Sequence, residues 1–535
     1  MDAQSYDSFA RENLPPRDQW PDFLLDRPEF SYPPRLNCVT ELLDRWLERD
    51  HADKPCLIGT GGTWTYRDLH ERVNRIANVL VSDLGLVPGN RVLLRAANNP
   101  MMAAAYLAVI KAGGIVVATM PLLRARELEY QIEKARISLA LCDGRLLAEL
   151  EKAAEAAPAL RRIVAFNTDA PDGLEAMMAR APAAFSAFDS AADDLCLIAF
   201  TSGTTGVPKG TMHFHRDIMA ICDGYARHVL KPTQNDRFIG SPPLAFTFGL
   251  GGMLLFPLYG GGSTVLLEKA GPDDLLAGIT KHRPTISFTA PTAYRAMIAK
   301  LGEYDISSLR ACVSAGEALP RATFEAWHRA TGIRMMDGIG STEMLHIFIG
   351  VSAEESRPGS TGKPVPGYEA KVIDAEGKEV PDGTVGRLAV RGPTGCRYLA
   401  DTRQAVYVQN GWNVTGDTYV RDADGYFWYQ ARSDDMIISA GYNIAGPEIE
   451  GVLLAHEAVA ECAVVGAPDP ERGQVVKAIV VLAPGLVGDA AMTEALQNHV
   501  KAEIAPYKYP RVIEYRAFLP RTETGKLQRF RLRGT

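Results

Sequence analysis

Phe200-Thr201-Ser202-Gly203-Thr204-Thr205-Gly206-Val207-Pro208-Lys209-Gly210-Thr211 decides how the rest of the chain is read. It continues an apolar run over 195–200 that has the length and bounding of a buried strand. Glycines let backbone N–H groups turn toward an anion, the Ser and Thr hydroxyls add donors with little bulk, and Lys209 brings a mobile positive charge. The pattern is that of an oligophosphate cradle. A Walker A loop is excluded: counted from Gly203, its second glycine falls on Pro208, and Gly210 follows Lys209. Gly260-Gly261-Gly262 also joins apolar segments, but with no lysine among its glycines it reads as a plain turn.

Outward from the loop, strand and helix alternate. Upstream, 91–95, 115–119, 137–142 and 163–166 read as strands. Helices are expected from the Asn99-Pro100 cap to Gly113-Gly114, over 126–135 and over 145–156. Residues 39–49 and 68–80 carry helical spacing, the latter through Leu69, Val73, Ile76 and Leu80. Downstream, Ile218, Cys222, Tyr225 and Val229 form one helix face, and 238–241, 264–267, 285–289 and 309–313 read as strands separated by helices. This alternation predicts doubly wound α/β layers with parallel pairing, in two sheets, one before residue 190 and one after. Residues 171–190 read as a surface connection, and 1–37 as irregular packing without chemistry. From Lys363 the texture turns to short strands and turns, and beyond Arg432 to an α+β unit of about a hundred residues. The expected fold is therefore α/β: a large layered N-terminal domain with a small β-rich part, 1–432, and a small mobile α+β C-terminal domain, 433–535.

Composition narrows the function. A chain of 535 residues with 47% hydrophobic content can bury several cores, and a net charge of -7 proposes neither nucleic acid nor an anionic membrane as partner. Eight scattered cysteines form no C-x-x-C pair, which argues against a zinc or disulfide framework and suits a reducing cytoplasm. The N-terminal stretch lacks a charged-then-apolar leader pattern. Residues 101–123 are nearly all apolar, but Lys111 and Gly113-Gly114 interrupt them, so a buried helix and strand are expected rather than a membrane span. His213, His215 and His228 have no completing carboxylate and read as satisfied core or surface histidines.

Four further stretches carry chemistry. In Asp337-Gly338-Ile339-Gly340-Ser341-Thr342-Glu343 a hydroxyl adjoins a carboxylate after two glycines. A carboxylate near an oligophosphate repels it unless it holds a cation, so Glu343 is a candidate Mg²⁺ ligand and Thr342 a phosphate donor. Ser314-Ala315-Gly316-Glu317 follows a strand at the carboxyl edge where open α/β sheets bind ligands. Asp417, after Thr415-Gly416, is an acceptor-only group suited to a vicinal diol. Lys526 ends Leu519-Pro520-Arg521-Thr522-Glu523-Thr524-Gly525-Lys526, a turn that can carry a cation into a site.

Together with the phosphate loop these stretches, in this order and over most of the chain, resemble the AMP-forming adenylating enzymes, the superfamily of acyl-CoA and aryl-CoA synthetases. The resemblance implies ATP, Mg²⁺ and coenzyme A as reactants and cofactor. It assigns Thr201, Ser202, Gly203, Thr204, Thr205, Gly206 and Lys209 to the pyrophosphate half of ATP, and Ala315, Gly316, Glu317, Asp337, Gly338 and Ile339 to adenine. Asp417 and Arg432 fall on the ribose, and Gly441 on the pantetheine path. Lys526, Thr342 and Glu343 become the catalytic set, with Glu343 on the metal and Asp434 at a hinge between domains. Ile339 replaces the family's common tyrosine, and Ala431 a frequent glycine.

Residues 98–102 and 337–348 are most similar to the benzoate-CoA and 2-aminobenzoate-CoA ligases. That likeness places an aromatic carboxylate against Ala245, Phe246, Phe248, Ile339, Gly340 and His346. Two phenylalanines with small neighbours favour a flat ring over a flexible chain. A nucleotide-sensing module and an enzyme that loads a carrier protein are the alternatives, and monomer and homodimer stay open. The joint presence of Lys209, Glu343 and Lys526 favours the enzyme.

Overall fold

The computed structural model describes residues 6–47, 50–201, 207–432, 435–439, 442–469, 472–521 and 527–533. Ser202, Gly203, Thr204, Thr205, Gly206, Asp434, Gly441 and Lys526 lie outside the described residues. Among the described residues four sheets organise the chain.

The first sheet runs in the order Arg162–Phe166, Leu139–Asp143, Arg91–Arg95, Ile115–Thr119, Leu195–Thr201, Lys209–Phe214. Every residue of Arg91–Arg95 is buried, and helices cover both faces, as an all-parallel centre requires. The helix Pro100–Lys111 begins where Asn99 accepts from the Met102 amide at 2.9 Å, with proline in the first turn, and stops before Gly113 at φ +83°. The lysine inside this apolar stretch is buried because Asp44 and Asn74 each take its ammonium at 2.8 Å. Among the described residues no helix is long and apolar enough to cross a membrane.

The second sheet is eight strands: Ile347–Gly350, Met336–Gly340, Ala311–Ser314, Ile286–Thr289, Arg237–Gly240, Ser263–Val265, Pro55–Gly59, Gly62–Thr65. Three sequence expectations are corrected here. The sheets do not divide at residue 190, because Leu195–Thr201 completes the first sheet through Val116↔Leu197, while the early hairpin Pro55–Thr65 joins the second through Leu57↔Thr264. Parallel partners far apart in sequence leave no local periodic trace. The 171–190 connection also contains a helix, Leu174–Arg180, whose Leu174, Met177 and Met178 are buried against the first layer. The helix expected over 39–49 is limited to Cys38–Leu42 and a 3₁₀ turn at Asp44–Trp46.

A five-stranded β-rich part spans Glu369–Ile373 to Phe427–Arg432, and a second five-stranded sheet, Ile437–Ser439 to Val512–Tyr515, packs the helices Gly446–Ala455 and Ala490–Glu503 around its own core. This smaller C-terminal unit touches the large one through polar groups. Arg295 donates to the carbonyls of Leu454, Val459 and Ala460 at 3.2, 2.8 and 3.1 Å, and Arg521 reaches Glu317 at 3.2 Å and Glu461 at 2.9 Å. The N-terminal segment is pinned over the body by Asp7 on Arg91 and Arg11 on Asp194.

Candidate active site

One hairpin connects everything below. Met336–Gly340 pairs in parallel with Ala311–Ser314 and antiparallel with Ile347–Gly350, leaving 341–346 as the turn. Within it the Ser341 hydroxyl accepts from the Met344 amide at 3.2 Å, Leu345 N–H donates to the Thr342 carbonyl at 3.2 Å, and Leu345 sits at φ +69°, a left-handed conformation that a branched side chain adopts only when its surroundings enforce it.

The strand side of the hairpin lines a cavity of about 490 Å³ that runs along the junction of the large and small units. Gly316, Glu317, Asp337, Gly338, Ile339 and Gly340 form one wall, and Asp417 and Arg432 another. These are the residues that the sequence grouped around a nucleoside, and the fold brings them together, Gly316 and Glu317 just past the carboxyl end of Ala311–Ser314 and Asp337 and Asp417 within their strands. Ala315 is the exception: its side chain turns into the core. Asp337 Oδ1 has no hydrogen-bond partner, and burial pushes its carboxyl well above the ordinary range. An unpartnered acceptor on a residue that lines the cavity suits a donor such as an exocyclic amine. Asp417 and Arg432 are cross-strand neighbours with Arg432 Nη1 3.2 Å from Asp417 Oδ1. Burial raises the Asp417 carboxyl, with Arg432 opposing it. Gly416, at φ +79°, keeps this pair close, since a Cβ there would stand 3.2 Å from Arg432 Nη2.

The turn carries Glu343 into a clasp. Lys209–Phe214 is flanked on one side by Leu195–Thr201, on the other by the segment around Tyr398, through the bridge Thr211↔Tyr398 and the bonds Met212 N–H to Arg397 O and Leu399 N–H to Gly210 O, both 2.8 Å. This register sets Lys209 Nζ 2.7 Å from the Tyr398 hydroxyl, which donates to Glu343 Oε1 at 2.5 Å; Lys209 and Glu343 are themselves 3.7 Å apart. Burial and the nearby Glu343 charge push the Tyr398 phenol far upward, so it stays a donor. Glu343 is 7% exposed. One nearly buried carboxylate beside a phosphate-loop ammonium fits the hard-oxygen chemistry of a Mg²⁺ ion that takes its other ligands from phosphate and water. Thr342 adjoins it, its carbonyl bound by His213.

At the end of the turn, His346 enters an aromatic cage. Its ring lies 4.6 Å from Phe256, 5.5 Å from Tyr225 and 5.7 Å from Phe248, and Phe248 packs on Phe288 at 5.6 Å. The approach depends on Gly251, where a Cβ would meet His346 Cδ2 at 2.3 Å, and on Gly340, where one would meet the His346 carbonyl at 2.8 Å. Gly251–Leu255 is wound as a π-helical turn, which opens the helix wall at this point. His346 is 2% exposed; neither ring nitrogen makes a well-formed hydrogen bond, and burial, outweighing the nearby Phe248 backbone, pushes it down to about 3. The imidazole is therefore neutral, with one donor and one acceptor facing apolar rings. Ala245 and Phe246 stand in the half-buried turn just before Phe248; Asn98, which accepts from the Leu244 amide at 2.7 Å and donates to the Pro242 carbonyl at 2.9 Å, holds that turn in place.

Some functional neighbours were missed. Tyr398 has no motif around it that spacing alone would flag, and His213, a satisfied core histidine as expected, places its Nε2 2.8 Å from the Thr342 carbonyl, a neighbour that spacing does not reveal. His215, Cys38 and Cys196 also converge in the core, where His215 Nδ1 accepts from the Cys38 backbone amide at 3.2 Å.

The description "AMP-binding enzyme" matches residues 43–398, and "AMP-binding enzyme C-terminal domain" matches 448–526. A benzoate-CoA ligase of Thauera aromatica is 37% identical over 515 residues, covering 95% of this chain and 97% of that one. Among solved structures, an anthranilate CoA ligase in complex with anthranoyl-AMP superposes with a TM-score of 0.91 at 37% identity, covering 95% of this chain and 98% of its own. A benzoate CoA ligase of Burkholderia xenovorans LB400 gives a TM-score of 0.86 at 34% identity, covering 93% and 100%. The resemblance read from the motifs is borne out: the chain belongs to the AMP-binding enzyme family and is an enzyme of the AMP-forming acid–thiol ligase type.

Proposed function

We propose that this protein joins an aromatic carboxylic acid of the benzoate and 2-aminobenzoate class to coenzyme A, through an aryl-adenylate, with ATP converted to AMP and pyrophosphate. The observation that carries the reading is the His346 cage. Flat rings bound it, glycine openings admit the histidine, and the neutral imidazole holds an unused donor and acceptor among them. Leaving such a group unpaired costs about 1–3 kcal/mol, which a ring bearing an ortho amino group can recover and a bare alkyl chain cannot. This favours 2-aminobenzoate over benzoate and both over fatty acids. Two relatives named for benzoate and anthranilate support the same class.

A free carboxylate has no viable leaving group. In the first half-reaction its oxygen attacks the α-phosphorus of ATP and pyrophosphate departs; in the second the CoA sulfur attacks the adenylate carbonyl and AMP departs. Lys209 neutralises charge on the leaving pyrophosphate. Glu343 would hold Mg²⁺, which supplies further charge neutralisation at the phosphates. Asp337 accepts from the adenine amine, and Asp417 from the ribose hydroxyls beside Arg432. Lys526, on its Thr-Gly turn, offsets charge developing between carboxylate and α-phosphate. Its role is supported by Arg521, five positions earlier, standing 3.2 Å from Glu317 at the cavity wall. We place the domain boundary at 432/433, with Asp434 as hinge and Gly441 on the CoA path, and the reaction in the cytoplasm, which suits eight free, buried cysteines.

The half-reactions test this. Pyrophosphate release should require ATP and an aryl acid but not CoA, and CoA should convert the bound adenylate to thioester. Lys526→Ala should cripple pyrophosphate release while leaving thioester formation from a supplied aryl-adenylate largely intact. Equal loss in both steps would sink the assignment, and nucleotide binding without pyrophosphate release from any acid would mean a sensing module instead.

A further inference from the structure

Behind the Glu343 clasp lies a buried polar cluster. His213 Nε2 faces the Thr342 carbonyl at 2.8 Å, and because a carbonyl only accepts, that nitrogen carries the proton. The other ring nitrogen faces Asp217 Oδ2 at 3.5 Å. Asp217 accepts from the Phe214 amide at 2.9 Å and is ion-paired with Arg397, both side chains being fully buried. Burial would raise the Asp217 carboxyl, but the Arg397 guanidinium, helped by the Phe214 amide, outweighs it and holds it below its ordinary range. Arg397 adjoins Tyr398, whose hydroxyl bridges Lys209 and Glu343. The same cluster thus reaches Glu343 twice, once through the backbone of its turn and once through its carboxylate.

We propose that His213 and Tyr398 are positioning residues for Glu343, the first fixing the turn through the Thr342 carbonyl, the second aiming the carboxylate and keeping Lys209 out of direct contact with it. The proposal rests on the reading of Glu343 as the Mg²⁺ ligand. The Thr342 carbonyl has one other donor, Leu345 N–H at 3.2 Å, and the left-handed Leu345 gives the turn a reason to relax if His213 lets go. Tyr398 acts as a spacer. With its hydroxyl between them, ammonium and carboxylate stand 3.7 Å apart; without it, Lys209 can close on the oxygen that a cation needs, and the ion pair competes with metal and phosphate together.

The test uses the full chain and the variants Tyr398→Phe, His213→Leu and His213→Gln, with Glu343→Gln as reference. ATP binding is titrated calorimetrically at rising Mg²⁺ concentration, and thermal unfolding is read on each variant. Glu343→Gln should raise the Mg²⁺ concentration for half-maximal ATP affinity, and Tyr398→Phe and His213→Leu should each raise it by at least about threefold, the worth of one hydrogen bond. His213→Gln, which can still donate to the carbonyl, should return close to wild type. If Glu343→Gln moves the Mg²⁺ midpoint while Tyr398→Phe and His213→Leu only lower the melting temperature, the positioning role is wrong. If Glu343→Gln moves nothing, the metal-ligand reading fails and the proposal falls with it. Should His213→Leu not fold, the nearly isosteric Tyr398→Phe decides alone.

Discussion

Within four residues the hairpin turn treats buried polar groups in opposite ways. At Glu343 the groups that face it are engaged: the carboxylate with Tyr398, Tyr398 with Lys209, and the backbone beside it with one nitrogen of His213. At His346 the ring is as deeply buried, but its nitrogens have no partner and the neighbours are aromatic. A satisfied network fixes geometry before a ligand arrives, and an unsatisfied group in an apolar cage keeps its hydrogen bonds for the ligand. The clasp should therefore govern phosphate chemistry for any acid, and the cage should govern which acid is chosen.

The largest effect should come from breaking the clasp. Glu343→Gln should slow pyrophosphate release on the order of 10²-fold or more, equally for every aryl acid, in a single-turnover assay. A loss that differs between acids would mean that the two neighbourhoods are not separable. Next is overfilling the cage. Gly251→Ala places a Cβ 2.3 Å from His346 Cδ2 in the present geometry, and such overpacking, typically 1–3 kcal/mol, should cost roughly tenfold in kcat/KM for aryl acids while ATP binding stays unchanged.

Smaller still is removal of the unpaired imidazole. His346→Phe should leave benzoate turnover nearly intact and reduce the preference for 2-aminobenzoate over benzoate by about three- to tenfold, the worth of one hydrogen bond. The remaining effect is on stability. A histidine held down to about 3 in the folded protein titrates near 6.5 when unfolded, so the unfolded chain binds the extra proton as pH falls. Stability contributed by keeping the ring neutral is present above pH 6.5 and is lost progressively toward pH 3. Wild type should thus lose more melting temperature between pH 7.5 and 5 than His346→Phe; identical slopes would show that the ring is not held neutral.

Much of this was legible in the sequence because family motifs are local. The 200–211 loop, the 337–343 heptad and Asp417 with Arg432 each carry their chemistry in a few adjacent residues, and the fold gathers the described ones around one cavity and one clasp. Strand positions followed from short apolar runs, and helix positions from apolar residues recurring at a spacing of about 3.6. What could not be read was long-range. The Pro55–Thr65 hairpin joins a sheet whose neighbour begins at Ser263, and no periodicity encodes that pairing. Tyr398 becomes important only because its segment lies alongside Lys209–Phe214, and His213 because a turn 129 positions away ends at its ring. Ala315 sits within a ligand-facing loop but points inward, a matter of backbone direction rather than residue type.

The measurement that tests the account most directly is CoA-thioester formation, as kcat/KM, across benzoate, its 2-amino, 2-hydroxy and 2-fluoro derivatives, and hexanoate. The cage predicts that the aryl acids all exceed hexanoate and that 2-aminobenzoate leads. Hexanoate outrunning every aryl acid would contradict the aromatic pocket and with it the proposed function.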